Sequence, residues 1–155
     1  MSASTRCLSI LLSACLLAGC GDSAPKSDQV SGKVTFDGQP VVYGAINFIP
    51  DADKGHKGPA GNAEIIDGVY NTADAGGSGL LKGPHIARVT VFPEKLPPTN
   101  LDDSVLTKAP QPITIGFPVN VEVNGPTLDI EVPAKAKGFD MNKTGRSSGP
   151  RPGEP

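Results

Sequence analysis

Short runs in which every second residue is apolar, each closed by a turn signal or a proline, restrict this chain to an all-β fold. In Gln29–Phe36, Val30, Val34 and Phe36 share one face with Gly32 between them, while Ser31, Lys33 and Thr35 share the other. Asp37-Gly38 then supplies a two-residue turn, and Pro40 stops the run. Gly44–Ile49 predicts a second strand with Ile46 and Phe48 facing inward. Ala60–Ile66 predicts a third, Asp67-Gly68 a turn, and Val69–Thr72 the return. Pro84–Phe92 is the clearest strand, with Ala87, Val89 and Val91 on one face and Ile86 and Phe92 on the other. Ile113–Phe117 is expected as a separate edge strand. Val119, Val121 and Val123 then face Leu128, Ile130 and Val132 across an expected Asn124-Gly125 hairpin.

No stretch beyond the first twenty residues carries a sustained apolar stripe of helical period, so essentially no helix is expected. The 19 glycines and 16 prolines are spread between the apolar runs, as turns require. Five prolines (Pro93, Pro97, Pro98, Pro110 and Pro112) make residues 93–112 a long loop or insertion, because proline cannot donate to a ladder. The expected fold is an Ig-like antiparallel β-sandwich of about seven strands, spanning residues 29–133. Residues 134–155 lose all periodicity and are expected as a disordered tail.

The N-terminus has a different organisation. Arg6 is the one charged side chain before an apolar run from Cys7 to Leu17, interrupted only by Ser9 and Ser13. The run has the length of an export-signal core and is too short to span a bilayer. Leu17-Ala18-Gly19-Cys20 follows and resembles the lipobox of bacterial lipoproteins. The resemblance implies cleavage between Gly19 and Cys20, a diacylglyceryl group on the Cys20 sulfur, and acylation of the new amine. Cys7 and Cys15 lie within the signal, so Cys20 is the one thiol left after residues 1–19 are removed. Neither an intrachain disulfide nor a cysteine metal cluster is then available. Residues 20–28 are small, polar and proline-containing, as a flexible tether is. Gly21, rather than an aspartate, follows Cys20, which in the lipoprotein sorting rule favours the outer over the inner membrane.

The β segments resemble the transthyretin-like, carboxypeptidase regulatory-like domain. The resemblance rests on Val30–Val41 with its Gly32, Val34, Gly38 and Pro40, on Gly44-Ala45-Ile46-Asn47-Phe48, on Asp67-Gly68-Val69-Tyr70, and on Gly83 before Ile86–Val91. His85-Ile86-Ala87-Arg88-Val89 departs from the aromatic start usual for that last strand. The whole chain is similar to the small lipoproteins of planctomycete-type bacteria. These motifs are turn and core residues, so they bear on fold far more than on activity.

Candidate chemistry is sparse. With 14 basic and 16 acidic residues there is no basic face, and no nucleic-acid partner is expected. Asp51-Ala52-Asp53-Lys54-Gly55 opens like a calcium loop, but His56 and Asn62 stand where such a loop needs glycine and glutamate. A solvated acidic loop is the expected role. His56 and His85 are the only histidines, and His85 is expected at the surface at the start of its strand. Asp102-Asp103 reads as solvation. Gly77-Ser78-Gly79 lacks the spacing and the elbow of a serine nucleophile. The chain ends Pro152-Gly153-Glu154-Pro155, unlike the Tyr-Arg-Gly-Ser-type terminus of transthyretin-like hydrolases. Tyr43 is expected exposed and Tyr70 in the core. No metal, cofactor or catalytic residue is therefore expected.

The reading that follows is a non-enzymatic envelope lipoprotein. It is held at the membrane by lipid on Cys20 and carries a binding or structural β domain for an envelope protein or polymer. The alternatives are an accessory subunit of an envelope enzyme or uptake complex, and a cryptic metal-dependent hydrolase built on Asp51, Asp53 and His56.

Overall fold

The structure, a computed structural model, describes residues 27–96 and 110–144. Eight strands form a mostly antiparallel sheet that curls around a single apolar core: β1 (Ser31–Phe36), β2 (Gln39–Pro40), β3 (Tyr43–Pro50), β4 (Gly61–Ile66), β5 (Val69–Asn71), β6 (Gly83–Phe92), β7 (Thr114–Val123) and β8 (Ile130–Val132). Their order across the sheet is β2-β1-β5-β4-β3-β6-β7, with β8 on the free side of β1. The expected all-β class and the inward phases of the runs hold. Val34, Ile46, Phe48, Ile65, Val89 and Val132 are fully buried and face one another across the curl.

Local chemistry accounts for the hairpins. Asp37 and Gly38, and likewise Asp67 and Gly68, adopt positive φ at both central positions. That geometry matches the right-handed twist of the strands it joins, and Asp-Gly is suited to it. Phe36 therefore pairs with Gln39, and Ile66 with Val69.

Asn124-Gly125 behaves otherwise. Neither residue adopts positive φ, and the expected hairpin does not form. Instead β8 runs parallel to β1, with Val34 opposite Ile130 and Phe36 opposite Val132. Two backbone bonds draw the chain onto β1: Ser31 N to Pro126 O at 2.9 Å and Leu128 N to Ser31 O at 2.9 Å. Gly32 makes the approach possible, since a Cβ there would lie 1.9 Å from the Leu128 carbonyl oxygen. The open edge of β1 outcompetes a local turn because it satisfies backbone groups that would otherwise be buried unpaired.

Two other expectations change. The pieces expected on either side of Pro118 form one strand, β7, which pairs along β6 from Gly83↔Val123 to Val91↔Thr114. Pro118 is tolerated because β7 is the last strand on that side of the sheet. A register shift between Val89 and Val91 coincides with Gly116 at φ 64, whose amide donates to Thr90 Oγ1 at 3.0 Å. The tail expected from residue 134 does not begin there. Ala134–Ala136 makes a 3-10 turn with Ala136 fully buried, and Phe139 packs edge-on against Phe117 at 5.3 Å. Gly138 N donates to Ile113 O at 2.8 Å, and a helical turn follows at Met141–Thr144. This segment caps the start of β7, whose apolar residues would otherwise face water. With the 3-10 turn at Ala52–Lys54, these are short departures from the helix-free expectation.

At the N-terminal side the domain begins one residue earlier than expected. Asp28 and Leu80 exchange backbone hydrogen bonds of 2.7 and 2.8 Å. The expected signal with Gly19 and Cys20, most of the expected tether, residues 97–109 with Asp102 and Asp103, and residues 145–155 lie outside the described residues. Among the described residues, no helix is long and apolar enough to cross a membrane.

Candidate functional site

Alternation along β3 and β4 sends Ile46, Phe48, Ala63 and Ile65 into the core, so Tyr43, Ala45, Asn47, Asn62 and Glu64 must face outward. Ala45 lies between Glu64 and Thr90 in register, and its small side chain leaves a depression. The result is an open concavity of about 340 Å³ on the outer face, lined by Tyr43, Asn47, Asn62, Glu64, Phe92 and Leu96.

One end of the concavity is apolar and the other polar. Tyr43 and Phe92 are opposite one another on β3 and β6, with ring centroids 6.1 Å apart. The Tyr43 hydroxyl donates to a Glu64 carboxylate oxygen. That bond, then burial, then the Glu64 charge push the Tyr43 phenol above its ordinary value. At the polar end the Asn62 amide nitrogen donates to Gly76 O, and the Ser78 hydroxyl donates to Asn62 Oδ1. Asn47 is exposed beside Asn62, and Arg88 stands next to Asn47 in register on the same outward face. These pinned side chains offer acceptors at fixed positions beside an aromatic wall. Such an arrangement can hold a polar ligand that has an apolar side.

A second site lies where the loop after β3 meets the start of β6. Asp51 is buried, with Oδ2 3.3 Å from Lys54 Nζ and its amide donating to Pro84 O at 3.0 Å. His56 lies over Gly83, and its ring meets that of His85 at 4.8 Å. The structure therefore does not gather Asp51, Asp53 and His56 into one ligand set. Among the described residues, no three His, Cys, Asp or Glu are grouped to hold a metal ion.

His85 is also not at the surface. It is fully buried, in phase with Ala87, Val89 and Val91. Extending the alternation of those three residues by one step would have found it. Glu64, Asn62 and Asn47 were legible only as the solvent phase of two strands, because their convergence depends on pairing. No family model, curated protein or solved structure matches this chain. Any functional assignment therefore rests on the residues themselves.

Of the two tyrosines, Tyr70 is in the core as expected, and Tyr43 is half-buried at the concavity rather than freely exposed. Ser78 pairs with the edge of β4 through Asn62, and its hydroxyl is spent on the Asn62 amide.

Proposed function

We propose that the protein is a lipid-anchored, non-catalytic binding module of the bacterial cell envelope. In this reading Cys20 carries the lipid, and the curled sheet is a transthyretin-like, carboxypeptidase regulatory-like sandwich of Ig type. The concavity over β3 and β4 receives an envelope protein or polymer. The observation that carries it is the order Leu17-Ala18-Gly19-Cys20, a short polar tether, and then a β domain whose first pairing is at Asp28. The motif segments behind the family resemblance coincide with β1–β2, β3, the β4–β5 turn and β6, which supports the fold part of the reading.

Anchoring follows from chain count. A single acyl chain holds marginally, at about 0.8 kcal/mol per buried methylene, whereas two or three make release slow. From Cys20 to Asp28 the chain reaches at most about 30 Å when extended, which keeps the domain close to the bilayer. Gly21 directs it to the outer membrane under the sorting rule.

Fractionation of cells expressing the wild type and Cys20→Ser tests the anchor. The wild type is expected in the outer-membrane fraction with a diacylated N-terminal peptide by mass spectrometry, and the variant in the soluble envelope fraction. Retention of Met1, or an unmodified Cys20, refutes the reading. Crosslinking in intact cells tests the concavity. A reproducible partner lost on Ala45→Arg supports it, and an unchanged crosslink pattern places the binding elsewhere.

A further inference from the structure

We propose that His56 and His85 form a two-imidazole site for copper(I), at the end of the sheet where the chain joins the domain. The inference stands apart from the anchoring and from the outer concavity.

Its basis is a pair of buried nitrogens without partners. His85 lies in β6, in register with Pro50 on one side and Val121 on the other, and is fully buried. Its Nδ1 is 3.0 Å from the Gly83 carbonyl oxygen. A carbonyl only accepts, so Nδ1 carries a proton, and in the neutral ring Nε2 then keeps its lone pair. That Nε2 is buried with no hydrogen-bond partner, and so is Nε2 of His56. The two rings are in contact, with centroids 4.8 Å apart and planes 68° apart. Phenylalanine or leucine would fill the same space without leaving buried polar atoms unsatisfied, and such atoms are rare in native interiors.

The surroundings are those of a ligand pair. Metal-binding histidines generally donate their second ring nitrogen to a carbonyl or carboxylate, which sets the tautomer, and Gly83 does this for His85. His85 is fixed within a strand, while His56 is on the 51–60 loop and only half-buried, which gives an ion a way in. Gly83 leaves room for the His56 ring, since a Cβ there would come within 2.9 Å of Cε1. Lys82 beside it is paired with Asp28 at 3.7 Å, so the site lies close to the first residues of the domain.

The donor set selects the ion. Two imidazole nitrogens, with no third His, Cys, Asp or Glu grouped with them among the described residues, fall short of the three or four protein ligands that zinc takes. The buried Asp51 carboxylate, at the start of the same loop as His56, is engaged with Lys54. Imidazole suits copper, which binds nitrogen sites most tightly of the divalent series. In its monovalent form copper accepts low coordination numbers, and a single charge is less costly to bury than a double one. Binding is a simple association: the lone pairs coordinate the ion, His85 releases no proton, and no electron is transferred.

The test uses the protein extracted in detergent from membranes and titrated without oxygen with copper(I), and separately with silver(I) as an air-stable substitute. The expected result is a rise in Tm that saturates at one ion per chain, with the imidazole 15N resonances of both histidines moving together. His56→Leu, on the loop, is expected to fold and to lose the rise. His85→Phe keeps the ring volume and is expected to behave likewise. Zinc and calcium are expected to leave Tm unchanged. No rise with copper(I) overturns the proposal. An equal rise in His56→Leu also overturns it, because the ion is then held somewhere other than the histidine pair. So does a Tm that responds to acidification but not to either monovalent ion, which would make the pair a protonation latch.

Discussion

The Tyr70 hydroxyl donates to the Leu128 carbonyl oxygen at 2.8 Å, tying β5 to the segment that leads into β8. The same carbonyl lies over Gly32, so one peptide group meets β1 and β5 together. Tyr70 also packs its ring against Phe48 at 5.7 Å, which links this junction to β3. The curl of the sheet closes here, and disturbing either contact should loosen β8 before it affects the β3–β6 pairing.

Tyr70→Phe removes the bond and leaves the Leu128 carbonyl without that donor. A loss of about 1 kcal/mol is expected, read by urea unfolding at neutral pH. Burial raises the Tyr70 phenol well above its ordinary 10.0, and the Asp129 charge adds to the shift. The unfolded chain then ionises at this residue before the folded one does. The stabilisation is complete below pH 10.0 and is lost as pH rises beyond it towards the raised value. The wild type should therefore lose stability on alkaline titration more steeply than Tyr70→Phe. Equal slopes would show that another group governs the alkaline limb.

Gly32→Ala places a methyl group 1.9 Å from the Leu128 oxygen, so β8 must move away from β1. Overpacking of this kind costs about 1–3 kcal/mol. Gly125→Ala is the matched control, since nothing lies within 4 Å of its Cβ position and its φ is not positive. It should change stability by less than about 0.5 kcal/mol. Amide exchange at Ile130 and Val132 should speed up in the first variant and remain slow in the second.

Phe139→Ala deletes the edge-on contact with Phe117 and exposes the start of β7. A loss of about 1–2 kcal/mol is expected from the buried area and the aromatic pair. Truncation after Pro133 should cost more, since it also removes buried Ala136 and the bonds from Gly138 to Ile113 and from Ile115 to Phe139. Thermal unfolding of the two variants decides this. A truncated chain as stable as the full one would return the segment to the status of a tail.

Much of the fold was legible because period-two patterns and Asp-Gly turns act over a few residues. The inward phase of β1, β3 and β6 and both Asp-Gly turns follow from such patterns alone. The parallel attachment of β8 did not, because Asn124-Gly125 is a good local turn and only the presence of the β1 edge overrides it. The order of residues 134–144 was hidden for a related reason. Ala136 and Phe139 carry no period, and they are buried only because β7 offers them a surface.

The candidate sites divide the same way. Leu17-Ala18-Gly19-Cys20 is a contiguous motif, so the expectation it raises needs no fold. Tyr43, Asn62 and Glu64 converge only after β3 pairs with β4, and His56 meets His85 only after the loop following β3 folds back over Gly83. Alternation and turn chemistry determined the strand-rich class, the inward faces and the tight hairpins, because these depend on neighbours within a few residues. Strand order, the parallel β8, the cap on β7 and the buried histidine pair were decided by tertiary structure. They arise when backbone edges and apolar surfaces distant in the chain satisfy one another, and no local pattern encodes that satisfaction.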